Sequence, residues 1–369
     1  MLPKICFITT GDIQSIATAK RALGLANPLS DLGWKVFIIM DDTHENHHRV
    51  KLECDKRTEV FFLHYTSAFD EIKKKNALLN KIKPDILYIC AFVFRNIVTP
   101  HYKCIKLVEH SELQSKIKGI SIGSKLRFTV QEYISTMYSD GLLNASQYLQ
   151  QHFKKISFKF AKKNLPMLYF PYAYNKQICQ INEKPIIPKY ENDKFFVFLG
   201  SLAENYGAFV MIKAFELIHA EYPSFHLLLL GKGPDYTKVT QYIEEKGLKA
   251  YIHAQGFVKE EEISNYFSLA DAFISPMNNT IQDWARCPSK LYMYLPYQKP
   301  IITCKIGEPY ETLKSKGVYF EPSSEKSLAN VLRDLAHKNN WTLDIDPLLH
   351  EWKQRANELS NWLKTNFHQ

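Results

Sequence analysis

Short runs of consecutive apolar residues recur along the chain, and between them lie stretches whose apolar positions return every three or four residues. The runs at 5–10, 36–40, 61–65, 86–90 and 105–108 are continuous rather than alternating. That is the pattern of parallel strands covered on both faces. A helix is expected from about 15 to 32, stopped by Gly33. The rhythm breaks at 174–194, where Pro185 and Pro188 stand among mixed charges and read as a linker. It then restarts with strands at 195–199, 225–230, 251–254, 272–275 and 300–303, separated by helices at 207–222, 236–246, 260–269 and 288–297. A last helix, 350–367, carries Trp352, Leu359, Trp362 and Leu363 as one apolar stripe. Two strand–helix alternations joined by a linker predict an α/β protein of two Rossmann-like domains, with ligands at the C-terminal strand ends in a cleft between them. The expected domains are 1–175, with the helix 350–369 packing back on it, and 176–349.

A chain of 369 residues with 46% hydrophobic content is long enough for two ordinary cores. No apolar stretch has spanning length, and the run after Met1 is too short for a signal peptide, so a cytoplasmic protein is expected. The seven cysteines are scattered without a C-x-x-C pair, which argues for free thiols rather than disulfides or zinc. Charge alters the picture more. Residues 1–174 hold 25 Lys/Arg against 15 Asp/Glu, whereas 175–369 hold 22 against 23. The positive field therefore belongs to the first half and favours anionic partners. Within it, 153–163 interleaves five lysines with Phe153, Phe158 and Phe160. This segment is either an amphipathic helix on an anionic membrane or a helix with its apolar face in the core. The +10 of the first half inclines the reading toward peripheral contact at the inner face of a membrane. No nucleic-acid motif accompanies the charge, so no nucleic-acid partner is expected. Neither G-x-G-x-x-G nor a P-loop is present, which counts against a dinucleotide dehydrogenase and a P-loop enzyme. His44, His47 and His48 read as a solvated loop, and Asp344-Ile345-Asp346 as a capping element.

Several segments, in order, resemble one family. Phe198-Leu199-Gly200-Ser201-Leu202 followed by Tyr206-Gly207, Leu230-Gly231-Lys232-Gly233-Pro234, Gln255-Gly256-Phe257-Val258 and Ala270-Asp271 through Ser275-Pro276 are similar to the donor domain of family-4-type retaining glycosyltransferases (group 1). Pro288-Ser289-Lys290-Leu291-Tyr292-Met293-Tyr294 with Lys299-Pro300 resembles their P-x-K-L-x-E-Y … K-P block, and Gly307, Glu311 and Gly317 follow at fitting distances. In the first half, 140–149 and 170–175 match more loosely. The resemblance implies the GT-B fold, two Rossmann-like domains facing a central cleft. It also implies transfer of a sugar from a nucleotide-diphosphate sugar to a glycan or lipid-linked acceptor, with retention, in polysaccharide or surface-glycan assembly, without metal or other cofactor.

The same resemblance nominates His110 as the catalytic residue facing the transferred sugar. It nominates Gly11, Gly200, Ser201, Lys232, Gly256, Phe257, Arg286, Ser289, Lys290, Leu291, Met293 and Glu311 for the donor. The chemistry fits those residue types: charge developing on a departing diphosphate is met by backbone N–H groups at a helix start together with a cation. Glu109 and Glu112 read as solvated. Three positions depart from the family: Ser201 stands for its usual Arg, Tyr206 for a Lys, and Met293 for the ribose-binding Glu. They motivate a second reading, a non-catalytic GT-B-like glycan-binding or partner subunit.

Overall fold

The computed structural model describes residues 2–13, 18–160, 164–176, 187–338 and 342–367. The expected start of the first helix at 15, Cys179, Pro185 and the 161–163 end of the basic segment lie outside them. The chain divides into two compact units, one comprising Met1–Ala173, Ala285–Cys287 and His350–Gln369, the other Tyr174–Trp284 and Pro288–Leu349. Among the described residues, no helix is long and apolar enough to cross a membrane.

The first unit runs β1 (Lys4–Ile8), α1 (Thr18–Asp31), β2 (Lys35–Asp41), α2 (His44–Glu53), β3 (Glu59–Leu63), α3 (Ala68–Ile82), β4 (Ile86–Ile89), β5 (Ile105–His110), α4 (Ile122–Tyr138), β6 (Gly141–Asn144), α5 (Gln147–Lys159) and β7 (Met167–Tyr169). The strands pair in parallel in the order β3-β2-β1-β4-β5-β6-β7. Residues such as Ile5, Phe7, Ile38, Leu87 and Val108 are fully buried because helices cover both faces. Serine and threonine start the helices as donors' partners: Thr43, Ser67, Ser121 and Ser146 each accept from a backbone N–H three residues on. His44, His47 and His48, expected in a loop, instead lie on α2, because the Thr43 cap starts a helix there. The C-terminal helix, numbered last below, also belongs to this unit.

The second unit runs β8 (Lys194–Leu199), α6 (Ala208–Ile218), β9 (Phe225–Leu230), α7 (Tyr236–Glu245), β10 (Ile252–Gly256), α8 (Glu260–Phe267), β11 (Ala270–Ser275), α9 (Ile281–Ala285), α10 (Ser289–Tyr294), β12 (Ile301–Thr303), α11 (Gly307–Leu313), β13 (Val318–Tyr319) and α12 (Glu325–Ala336). The parallel order is β10-β9-β8-β11-β12-β13. In both sheets the strand order reverses beside the first strand, so the loops after β1 and β8 open at the topological switch point where doubly wound sheets bind ligands. The last helix, α13 (Trp352–Phe367), buries Trp352, Leu359 and Leu363 of the expected stripe, while Trp362 is half-buried.

Ala285–Cys287 interrupts the second unit, against the expectation that 176–349 forms one domain. Ser146 Oγ donates to the Ala285 carbonyl at 2.7 Å, and the Tyr172 N–H donates to Cys287 Sγ at 3.3 Å. Both anchors lie in the first unit, so these three residues cluster with it.

Candidate active site

In the second unit, three glycine turns lie side by side at the C-terminal strand ends. The Gly200 N–H donates to the Leu230 carbonyl at 2.9 Å, the Gly231 N–H to the Gly256 carbonyl at 2.7 Å, and the Leu202 N–H to the Lys232 carbonyl at 3.1 Å. A side chain at Gly231, whose φ is +137°, would place Cβ 2.1 Å from the Gly200 carbonyl oxygen. The close approach is backbone on backbone, so only glycine fits. Ser201 is held in the same contact, its Oγ 2.5 Å from where a Gly233 Cβ would stand.

Two lysines bracket this edge. Lys290 Nζ lies 3.8 Å from the centroid of the Phe198 ring and 3.2 Å from the Cβ position of Gly200. Lys232 Cε lies 3.3 Å from the Cβ position of Gly256, with Nζ 5.8 Å from the Tyr236 ring centroid. Phe257, next along, exposes its ring. The structure thus brings Gly200, Ser201, Lys232, Gly256, Phe257 and Lys290 to one edge. α10 has six residues, so its dipole is short, and the Lys290 ammonium is the larger positive contribution there. Ser289 and Met293 are half-buried on this helix. Leu291 is fully buried, its side chain packed within the unit. Glu311 is half-buried and paired with Lys314 at 2.5 Å. Sequence reasoning missed Glu308, which is fully buried and accepts from the Tyr292 hydroxyl at 2.9 Å. An acidic residue one turn before Glu311 was the available signal.

The other nominated residues lie in the first unit. Gly11, with φ +76°, donates its N–H to Asp41 Oδ2 at 3.0 Å, and its carbonyl accepts from Asn46 Nδ2 at 3.2 Å. Asn46 also accepts from the Ile13 N–H at 3.0 Å, so one buried amide shapes the turn after β1. Arg286 sits in the segment held by Ser146 and Tyr172, and its positive charge acts on Glu112. It therefore belongs to the first unit.

His110 ends β5 against the face of the Phe153 ring, centroids 3.8 Å apart and planes 19° from parallel. Its Nε2 is 3.0 Å from Ser135 Oγ, which is also 2.8 Å from the Glu132 carbonyl. A carbonyl only accepts, so the serine proton goes there, and Nε2–H must donate to Ser135. Nδ1 is then left with the lone pair. Burial pushes this imidazole down to about 3, so it is neutral. His110 lines a pocket of about 40 Å³ together with Cys90, Phe92, Glu112, Gln131 and Glu132, room for roughly one or two waters. Gln131 Oε1 is buried there without a hydrogen-bond partner. With Gln131 Oε1 and the side chains of Glu109, Glu112 and Glu132 in its lining, the pocket is rich in acceptors, the complement of a hydroxyl-bearing ligand.

Neither neighbouring glutamate is solvated as expected. Glu109 is buried, with Arg21 Nε 2.5 Å from its Oε1 and the Tyr88 hydroxyl donating at 2.9 Å. Burial pushes its carboxyl up against the pull of Arg21. Glu112 is half-buried, and burial raises its carboxyl too, opposed by Gln114 and Arg286.

Residues 180–359 match the family model of glycosyl transferases group 1. The chain carries a group 1 glycosyl transferase domain, on the GT-B fold. It is 28% identical over 120 residues to the alpha-monoglucosyldiacylglycerol synthase of Acholeplasma laidlawii, a match covering 32% of this chain and 29% of that protein. It is 24% identical over 226 residues to an uncharacterized glycosyltransferase of Methanocaldococcus jannaschii, covering 58% and 52%. The matched parts thus span about a third to half the length of these relatives. Among solved structures, Anabaena Alr3699/HepE in complex with UDP and glucose superposes with TM-score 0.73 at 14% identity, over 98% of this chain and all of that one.

Proposed function

We propose that this protein transfers a hexose-type sugar from a nucleotide-diphosphate sugar to a glycan or lipid-linked acceptor, with retention, in polysaccharide or surface-glycan assembly. One observation carries the reading: a lysine ammonium, that of Lys290, stands over Gly200 at the switch point of the matched domain. In this reading it meets the charge developing on the departing diphosphate, with Lys232 and the backbone N–H groups of the glycine turns beside it. Ser289 lies at the start of the same short helix, and Phe257 offers a ring face to the base. Neutral His110 orients a sugar hydroxyl by accepting at Nδ1. No resident metal enters the proposal. The acceptor arrives from a membrane surface, with the basic 153–163 segment near the headgroups, at the inner face of the membrane in a cytoplasmic setting. The UDP and glucose bound to the Anabaena structure, and the lipid product named for the Acholeplasma relative, support these choices.

Ser201, Tyr206 and Met293 favour a second reading, a GT-B-like subunit that binds glycan or a partner without turnover. Calorimetric titration with UDP, GDP and their sugar conjugates, without added metal, tests the donor site, and a turnover assay with the sugar nucleotide that binds separates the two readings, since binding without turnover favours the second. Binding of one nucleotide is expected, weakened about tenfold to a hundredfold in Lys290→Ala, since one charge-assisted hydrogen bond contributes roughly 1.5–3 kcal/mol. No binding of any nucleotide refutes the donor site and leaves the second reading.

A further inference from the structure

We propose that α4 is a membrane-docking helix that lays one apolar face on an anionic bilayer. The inference rests on the peripheral-membrane reading above and moves the main contact from the 153–163 segment to α4 and the end of α5. Ile122, Leu126 and Val130 recur every fourth residue, so they line one face, and they are 88%, 66% and 40% exposed. Tyr133 and Met137 continue that face, Met137 at 53% exposure. A row of large apolar groups left in water along three turns marks an interaction surface.

The surface continues onto α5. The Tyr133 ring meets Phe160 edge-on, centroids 5.6 Å apart, and Lys159 Nζ lies 3.3 Å from the Tyr133 hydroxyl. Phe158 and Phe160 are themselves exposed. Charge selects the occupant. From 114 to 160 the chain carries seven Lys/Arg and two carboxylates, of which Glu132 is buried. Apolar side chains bordered by Lys125, Arg127, Lys154, Lys155 and Lys159 match a helix lying in the plane of an anionic interface. The rest of α4 gives the arrangement a use. Phe128, Gln131 and Glu132 of this helix wall the His110 pocket. The helix that meets the lipid thus also lines the site, and an acceptor hydroxyl carried on a lipid headgroup arrives beside it.

The test is co-sedimentation of the full chain with phosphatidylcholine vesicles and with vesicles that also contain phosphatidylglycerol. The wild type is expected to partition onto the anionic vesicles alone and to be released by salt. Ile122→Glu/Leu126→Glu, and the milder Leu126→Gln, are expected to bind them at least about tenfold more weakly, since each large apolar side chain buried contributes that much. Both should retain the wild-type thermal melt, because the substituted side chains face water. Undiminished binding by both variants overturns the assignment to α4 while leaving the membrane reading standing. No vesicle binding by the wild type overturns the membrane reading itself. A wild-type dimer in solution that the double variant dissociates, without vesicle binding, assigns the face to a second copy of the chain and also overturns the proposal.

Discussion

Arg21→Met tests what holds the first unit together. The Arg21 side chain is nearly inaccessible, with Nε 2.5 Å from Glu109 Oε1 and Nη1 donating to the Phe170 and Pro171 carbonyls at 3.1 and 3.2 Å. Its guanidinium carbon lies 5.1, 5.5 and 5.6 Å from the ring centroids of Phe170, Tyr172 and Trp352. One side chain therefore joins α1, β5, the segment after β7 and the start of α13. Methionine keeps the unbranched apolar stem and removes the guanidinium, so Glu109 stays buried with the Tyr88 hydroxyl as its remaining donor. Stripping one partner from a buried ion pair costs about 3–5 kcal/mol, and the two abandoned carbonyls place the estimate in the upper half of that range. At about 4 kcal/mol the melting temperature should fall by roughly 8–16 °C for a unit of this size. Urea unfolding followed by tryptophan fluorescence reads this, since Trp352 is itself a contact. The cost must also depend on pH. Burial already holds the Glu109 carboxyl above its ordinary value of 4.5, and without Arg21 it rises further. A folded-state pKa above the unfolded one gives stability that is full below the unfolded value and lost as pH rises through the folded one. The variant's deficit should therefore be larger at pH 8 than at pH 5, and Arg21→Met/Glu109→Gln should recover much of it at pH 8. A cost under about 1 kcal/mol, or one equal at both pH values, would refute the ion pair as the organising contact.

Two further outcomes follow from the same unit. Gly24 sits inside α1, where alanine ordinarily stabilises a helix by about 1 kcal/mol, but its Cβ would fall 2.3 Å from Trp352 Nε1. Gly24→Ala should therefore lower the melting temperature; an unchanged or raised value would show that α13 does not pack as described. His110, pushed down to about 3 from 6.5 by burial, contributes stability that is present above the unfolded value and is lost as pH falls toward the folded one. Between pH 8 and pH 5 the loss is about 2 kcal/mol, and His110→Gln should remove that part of the acid limb in urea titrations. An unchanged limb would contradict the buried neutral imidazole.

How much of this was legible in the sequence depends on how local the cause is. The strands 225–230 and 86–90 could be read from continuous apolar runs, because burial on both faces leaves nothing to alternate. α2 was missed because its polar sequence hides a Thr43 cap among histidines. α4 was missed because its apolar residues point two ways: Phe128 to the pocket, and Ile122, Leu126 and Val130 to water. The grouping of Gly200 with Lys290 follows the motif order, but their approach to 3.2 Å depends on how β8 and α10 pack. The place of Arg286 could not be read at all, since its neighbours are held by Ser146 and Tyr172, more than a hundred residues away. Glu109 was misjudged for the same reason, its partner Arg21 being distant in sequence.

The departures from the family pattern take on a narrower meaning beside this geometry. Ser201 sits within a backbone-to-backbone contact of two glycine turns, where its short side chain packs against Gly233. Positive charge at this edge comes from Lys290 above Phe198 and from Lys232 beside Gly256. Tyr206 is half-buried in the turn before α6, and so joins the packing there. Lys290, itself the lysine of the P-x-K-L block on α10, and Lys232 after β9 keep positive charge at this edge where those two cations are missing. Met293 is different in kind. It is half-buried on the helix that carries Lys290, and a thioether accepts hydrogen bonds only weakly. In the proposed donor reading, positive charge is therefore kept at this edge while the position matched to the ribose-binding Glu is changed. In that reading the combination favours an altered donor site over a decayed one, because decay has no reason to spare the charge.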